Sequence, residues 1–200
     1  PYFKAVDAHY ITIYGFGVYH QGVDFSKADT SNRIVALTGE VREDTWVRGG
    51  DDDFTSWIVD FRSWCKTFGL GDADGVLEGP DFTTELQDFL GVSPYKFPGK
   101  SWKGISHNSS IAWDGGKVKA AVVRLKYVDL SDSDRGPAML SVRKTLNESK
   151  NSLPWQSQNA EGLPEPQPYQ FQYTRYHIFW EQDLIMKTEL LQNFLLASGA

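Results

Sequence analysis

The sequence predicts an α+β fold: a ferredoxin-like split βαββαβ core with a helical insertion and a long C-terminal helix. Strand-like segments alternate with segments of helical periodicity over about 9–48 and 109–196, which form the predicted core. The clearest amphipathic helix falls outside that alternation, so about 50–108 is predicted as the insert. With 200 residues, 40% of them hydrophobic, the chain is long enough to bury a sizeable core. We therefore expect a single domain over 1–200.

The first part of the core is predicted as strand, helix and short strand. Residues 9–19 are rich in β-branched and aromatic side chains, which favour a strand. Apolar residues at spacings of three and four predict a helix over 29–43. Ser26 and Asp29 are the candidate N-cap residues of that helix. A short strand is expected over 45–48.

The insert is predicted to hold two helices after a Gly- and Asp-rich break. One continuous apolar stripe at helical spacing marks the first helix. Its members are Phe54, Trp57, Ile58, Phe61, Trp64, Cys65 and Phe68. Gly69 is expected to end this helix. A shorter helix is predicted over 81–90.

The second part of the core begins with a hairpin. Asp114-Gly115-Gly116 supplies the positive φ angles of a tight turn between strands at 110–113 and 117–129. The remaining chain is predicted as a helix, a Pro-containing loop, a strand and a long helix. Their predicted bounds are 134–148, 149–168, 169–173 and 177–196.

Composition excludes several classes of protein. Cys65 is the only cysteine, so the chain has neither an internal disulfide framework nor a cysteine-based zinc site. A net charge of −6 argues against a nucleic-acid partner. Charge is uneven, with acids concentrated between Glu40 and Asp88 and bases between Lys96 and Lys126. Since the chain begins at Pro1 without an initiator Met or a signal peptide, we expect it to be a processed product or an excised piece of a longer protein.

No sequence motif predicts an enzyme or a bound cofactor. The chain lacks the nucleophile-elbow, phosphate-loop and dinucleotide-binding patterns, and no two histidines have metal-ligand spacing. The best metal-like fragment surrounds Asp72 and Asp74, which with Asp81 match the third, fifth and twelfth places of a calcium loop. Leu70 stands at the first ligand place and cannot bind calcium. The three aspartates are therefore a weak candidate calcium site.

Two sequons for N-glycosylation are present. Asn108-Ser109-Ser110 lies beside the predicted hairpin, and Asn147-Glu148-Ser149 lies near the end of a predicted helix. Either one matters only if the chain faces the outside of the cell or a lumen.

The C-terminal stretch carries a resemblance to a known family. Residues 173–182 are rich in aromatic side chains and close with Glu181-Gln182, ahead of a Leu-rich segment that ends at Leu196. This pattern is similar to Patched-like proteins, where such a stretch leads directly into a membrane helix. Weaker likenesses occur upstream, at 22–25, 56–57, 60–61, 117–127 and 135–143.

The resemblance implies a role outside the cytosol. The chain resembles the second large extracytoplasmic domain of Patched, Dispatched and Niemann-Pick-type members of the resistance-nodulation-division transporters. In that family such domains have a ferredoxin-like core, pair with a sister domain of the same chain and shape a route for sterols or other lipids, and some bind a protein ligand. The family has no catalytic residues in this domain.

A lipid groove would need apolar aromatic side chains, and six are candidates. These are Phe54, Trp57, Phe61, Trp64, Phe82 and Phe89. A stripe at helical spacing is also the usual mark of a core. The alternatives to a lipid-handling domain are an adhesive or structural extracellular module and a soluble hydrolase with paired carboxylates.

Overall fold

The computed structural model of the chain describes residues 10–16, 23–50, 53–91, 107–114, 116–153 and 177–198. The fold of this part is α+β, as predicted. Its strands are β1 (Tyr10–Phe16), β2 (Phe54–Ser56), β3 (Ile111–Asp114) and β4 (Lys117–Lys126). Its α-helices are α1 (Ala28–Arg42), α2 (Trp57–Phe68), α3 (Gly79–Gly91), α4 (Arg135–Glu148) and α5 (His177–Ser198). A 3-10 helix, His107–Ser110, precedes β3.

Strand β4 is the centre of a small antiparallel sheet. Strand β1 runs along one edge of β4, with Ile13 opposite Val123. On the other edge β2 and β3 lie end to end, β2 opposite residues 123–125 and β3 opposite residues 117–121. Four strand segments therefore make a sheet that is three strands wide.

The strand predicted over 45–48 is reduced to one β-bridge between Val47 and Tyr127. Backbone hydrogen bonds flank this bridge: Arg48 N–H donates to Lys126 O, and Val128 N–H donates to Trp46 O. The bridge continues the β2 edge of β4. The predicted hairpin is confirmed, and the predicted strand at 169–173 lies outside the described residues.

The predicted start of the first insert helix is wrong by three residues. Phe54 continues the helical stripe in sequence, but it lies in β2, opposite Leu125. The open edge of β4 offers this segment backbone partners, and pairing with that edge overrides the helical pattern. Helix α2 then begins at Trp57 and ends at Gly69, whose φ of 67° fits the left-handed conformation of a helix stop. The segment predicted as a helical insert thus also supplies a strand of the sheet.

The N-cap of α1 also differs from the prediction. Lys27 occupies that position and its side chain makes no capping hydrogen bond. Ser26 instead donates its hydroxyl to Asp24 Oδ1 over 2.6 Å. Asp29 lies inside the first turn, where Arg33 Nε donates to its carboxylate over 2.8 Å. The helix predicted over 29–43 is otherwise confirmed to within one residue.

One hydrophobic core joins all five helices and the sheet. Helices α1 and α5 both pack against α4. The largest fully buried side chains come from α1, α2, α3, β4 and α4. They are Trp57, Phe61, Leu37, Ile58, Leu86, Leu125, Met139, Leu146, Val41 and Val142. None of the described helices has the length and apolar character that a membrane crossing requires.

Candidate functional site

Several polar side chains lie in the segments that border the break between β2 and β3. Strand β2 ends at Ser56, opposite Val123, and β3 begins at Ile111, opposite Ala121. Helix α2 starts directly after β2, and the 3-10 helix ends directly before β3. We call five polar side chains from β2, α2, the 3-10 helix and β4 the polar cluster. Its members are Ser56, Asp60, His107, Ser110 and Arg124.

A buried contact between His107 and Asp60 forms the centre of the polar cluster. His107 Nε2 lies 2.8 Å from Asp60 Oδ2, and each side chain is 5% exposed. The imidazole ring stacks on Phe89 of α3, with ring centroids 5.7 Å apart. These two contacts of His107 tie α2, α3 and the 3-10 helix together.

The serines of the polar cluster do not engage His107. Ser110 Oγ accepts a hydrogen bond from Arg124 Nη1 over 2.7 Å. Ser56 Oγ and His107 Nδ1 are buried without hydrogen-bond partners. Serine, histidine and aspartate are the residue types of nucleophilic catalysis, but that chemistry needs a serine–histidine hydrogen bond and access for a substrate. Within the described residues this cluster has neither.

The six candidate lipid-groove residues lie in the core. Phe54, Trp57, Phe61, Trp64, Phe82 and Phe89 are between 1% and 6% exposed. Phe61 contacts the rings of Trp64, Phe82 and Phe89 at centroid distances between 5.5 and 6.0 Å. These aromatic rings fill the space between α2 and α3 with one another. Their burial supports the core interpretation of the stripe.

The three candidate calcium ligands have other partners or positions. Asp72 Oδ1 accepts the backbone N–H groups of Asp74 over 2.8 Å and Val76 over 2.9 Å. The hydrogen bond from Val76 is the largest of the effects that lower the pKa of Asp72. Asp74 pairs with Lys66, and Asp81 lies in the first turn of α3. No three metal-ligating side chains converge in the described parts of the chain.

A groove of about 370 Å³ opens beside the first sequon. Residues from α3, the 3-10 helix and the hairpin turn line it. They are Gln87, Leu90, Gly91, Asn108 and Gly116. The sequence marked only Asn108, through its sequon, because the other four residues meet only in the folded chain. Below we call this the Asn108 groove.

The first turns of α5 are docked on the domain. Trp180 is 3% exposed, and its ring meets that of Tyr127 at 5.6 Å. Arg143 of α4 donates to the carboxylate of Glu181. Burial raises the pKa of Tyr127 well above its ordinary value.

The rest of α5 presents large apolar side chains that the described residues leave exposed. Seven of them are between 56% and 74% exposed. They are Ile185, Met186, Leu190, Leu191, Phe194, Leu195 and Leu196. Successive residues of an α-helix are roughly 100° apart, so these positions fall on all sides of the helix. Below we call residues 185–196 the apolar arm.

Cys65 is enclosed by the core. Its side chain is fully buried, and burial raises the pKa of the thiol to about 12.

The chain matches no protein-family model, no curated protein and no solved structure.

Proposed function

We propose that this chain is an extracytoplasmic domain of a Patched-like membrane protein, and that α5 brings the domain to the bilayer. The observation that carries the proposal is the apolar arm. A helix that docks on a partner protein usually needs one apolar stripe, whereas a helix that is apolar all round is buried in a core or in lipid. Apolar side chains of the arm lie on all sides of the helix, among the polar residues Lys187, Thr188, Glu189, Gln192 and Asn193, and a lipid surface is the occupant that we propose for them.

The charge distribution along α5 supports the same proposal. Glu181, Asp183, Lys187 and Glu189 lie in the first thirteen residues of α5, and no charged residue follows Glu189 in the chain. A helix of 22 residues is roughly 33 Å long at 1.5 Å per residue. Its docked end therefore holds the domain while its uncharged end reaches well away from α4.

The burial of the six aromatic residues in the core argues against a lipid-binding groove between α2 and α3. A sterol cannot enter between α2 and α3 without displacing packed rings, and such displacement costs several kcal/mol. We therefore place any handling of a sterol or other lipid, or binding of a protein ligand, at a surface that the domain shares with its sister domain. The packed α2–α3 contact serves stability.

We also propose that the sheet is ferredoxin-like. In that topology the first strand of each βαβ unit lies between the two strands of the other unit, which gives the strand order 4-1-3-2. The order β1–β4–β2, with the Val47 bridge on the β2 edge, fits strands 1, 3 and 2 of that topology. The proposal requires a further strand on the other edge of β1. Backbone hydrogen exchange tests it, since the amides of β1 that face that edge would then be protected.

Flotation with phosphatidylcholine vesicles tests the membrane role of the apolar arm. Because the chain carries a net charge of −6, we expect hydrophobic binding that neither anionic lipid nor low salt increases. The double variant Leu191→Glu, Leu195→Glu should lower the partition constant by more than about tenfold, since each buried leucine contributes roughly 1.5–3 kcal/mol.

The matched control is Leu140→Glu, which changes a leucine that is 50% exposed on α4. It should leave flotation unchanged. Concentration-dependent dimers that the arm variant abolishes, without flotation of the parent chain, would contradict the proposal and make a second copy the occupant. Failure to float as a monomer would contradict it as well.

A further inference from the structure

We propose that Asn108 carries an N-linked glycan whose first sugar lies in the Asn108 groove. The proposal rests on the proposed function, because only a chain that faces a lumen or the cell exterior meets the glycosylating enzyme. It also rests on three separate observations: the sequon, the exposure of Asn108 and the groove beside it.

The geometry of the groove suits a tethered ligand. Asn108 is exposed on the 3-10 helix and forms part of the lining, so a sugar attached to its amide starts at the groove itself. Gly91 and Gly116 leave space, since a Cβ built on either one meets no atom within 4 Å. A volume of about 370 Å³ falls within the range of small-ligand pockets.

The lining chemistry matches an N-acetylated sugar. Such a sugar presents hydroxyl and acetamido groups beside apolar C–H faces. Gln87 is exposed and its amide both donates and accepts hydrogen bonds. Leu90 supplies an apolar part of the lining. Because the sugar is covalently attached, its effective concentration is millimolar or higher, so weak contacts are enough to hold it.

The structure also assigns the order of modification and folding. The sequon requires the hydroxyl of its third residue, which is Ser110. In the folded chain Ser110 is 2% exposed and bonded to Arg124. The enzyme must therefore modify Asn108 before β3 and β4 pair. The sequon of Asn147 does not require this order. Its third residue, Ser149, is half-buried and follows the last turn of α4, so the enzyme can reach it in the folded chain.

Thermal unfolding of a single-sugar form tests the seating. The whole chain is secreted from eukaryotic cells behind a signal peptide, in an Asn147→Gln background, and trimmed to one N-acetylglucosamine. Peptide mass spectrometry should find Asn108 occupied. The sugar should raise the Tm by roughly 2–4 °C relative to enzymatically deglycosylated chain, which corresponds to a modest stabilisation of a 200-residue protein.

Gly91→Tyr is the variant that fills the groove. Gly91 has no positive φ, and a Cβ at this position meets no described atom within 4 Å, so a side chain can be introduced there without backbone strain. In this variant Asn108 should still be occupied, but the Tm difference between sugar-bearing and sugar-free chain should vanish. An equal difference in both proteins, or none in either, would overturn the seating.

Treatment of the unmodified, folded chain with the purified glycosylating enzyme tests the order. We expect transfer to Asn147 and none to Asn108, with Asn108 modified once the chain is unfolded. Transfer to Asn108 in the folded chain overturns the order, and an unmodified Asn108 in secreted chain overturns the site. These outcomes are independent of vesicle flotation, which is measured on unglycosylated chain, so failure of the proposed function is recognised separately.

Discussion

At the scale of the residue, the His107–Asp60 contact is the feature that the sequence could not predict. The two residues are 47 positions apart, and neither belongs to a motif with a fixed spacing. Only the end-to-end arrangement of β2 and β3 brings them together. Cys65 is different, because its place on the apolar stripe already predicted the burial that the structure confirms.

Removal of either partner of the His107–Asp60 contact should be strongly destabilising. We expect His107→Leu and Asp60→Ala each to lower the free energy of unfolding by about 3 kcal/mol, because each variant removes a buried hydrogen bond between the two side chains. Urea unfolding of both single variants and the double variant measures the coupling. The loss of unfolding free energy in the double variant should be clearly smaller than the sum of the two single losses. Additive losses would show that the two side chains do not stabilise the fold through their contact.

Asp72 should give the loop between α2 and α3 a pH dependence. Its folded pKa is lowered, chiefly by the backbone N–H of Val76, so the ionised form stabilises the fold. The stabilisation is therefore present above the unfolded pKa of about 3.9 and is lost as the pH falls through the lower folded value. The difference in unfolding free energy between the parent chain and Asp72→Ala should be constant near neutral pH.

That difference should shrink in the acid range below about pH 4. Asp74→Ala is a matched control, since Asp74 is an exposed acid in the same loop that pairs with Lys66. A difference for Asp72→Ala that persists unchanged at low pH would contradict the assigned role of the carboxylate.

At the scale of the element, tertiary pairing explains where sequence patterns fail. The helical stripe correctly predicted α2 and its end at Gly69, because an amphipathic face and a glycine stop are local signals. The segment 54–56 has the same local signal, yet it pairs with β4. Its strand conformation depends on an edge built from residues 123–125, much later in the chain. The strand predicted over 45–48 is reduced to one bridge at Val47, and no feature of the sequence explains why.

The loop after α2 depends on a close approach at Gly75. A Cβ at this position would lie 2.2 Å from Arg62 O, and the φ angle is +71°. Gly69 has a similar φ of +67° but open space around it. We expect Gly69→Ala to cost about 1–2 kcal/mol, the penalty of the left-handed conformation alone.

Gly75→Ala should cost distinctly more than Gly69→Ala, since the backbone of α2 must also move. Thermal or urea unfolding of the two variants measures the difference. Equal losses would mean that the loop shifts away from α2 without penalty, and would contradict the close packing of loop and helix.

At the scale of the whole molecule, α5 joins a docked end to an uncovered one. The sequence predicted a long helix at 177–196 and the structure confirms it at His177–Ser198. Which half of α5 contacts the domain was not predictable, because its apolar residues have no one-sided period. Trp180 docks because Tyr127 lies beside it. Beyond Leu184 no such partner is found among the described residues.

Because Cys65 is buried, a fluorescent label can be attached to the apolar arm alone and can report where the arm lies. With a pKa of about 12 and no exposed surface, its thiol should not react with a maleimide dye at neutral pH. A cysteine introduced by Leu195→Cys can therefore be labelled alone with an environment-sensitive fluorophore. Leu140→Cys serves as the labelled control on α4, and the unmodified chain should remain unlabelled.

The emission of these two labelled chains with phosphatidylcholine vesicles decides whether the apolar arm enters lipid. We expect a blue shift of the label at position 195 when vesicles are added and no shift at position 140. Quenchers attached at known depths in the lipid should then quench the label at position 195 alone. A label at position 195 that stays in water with vesicles present would rule out insertion of the arm.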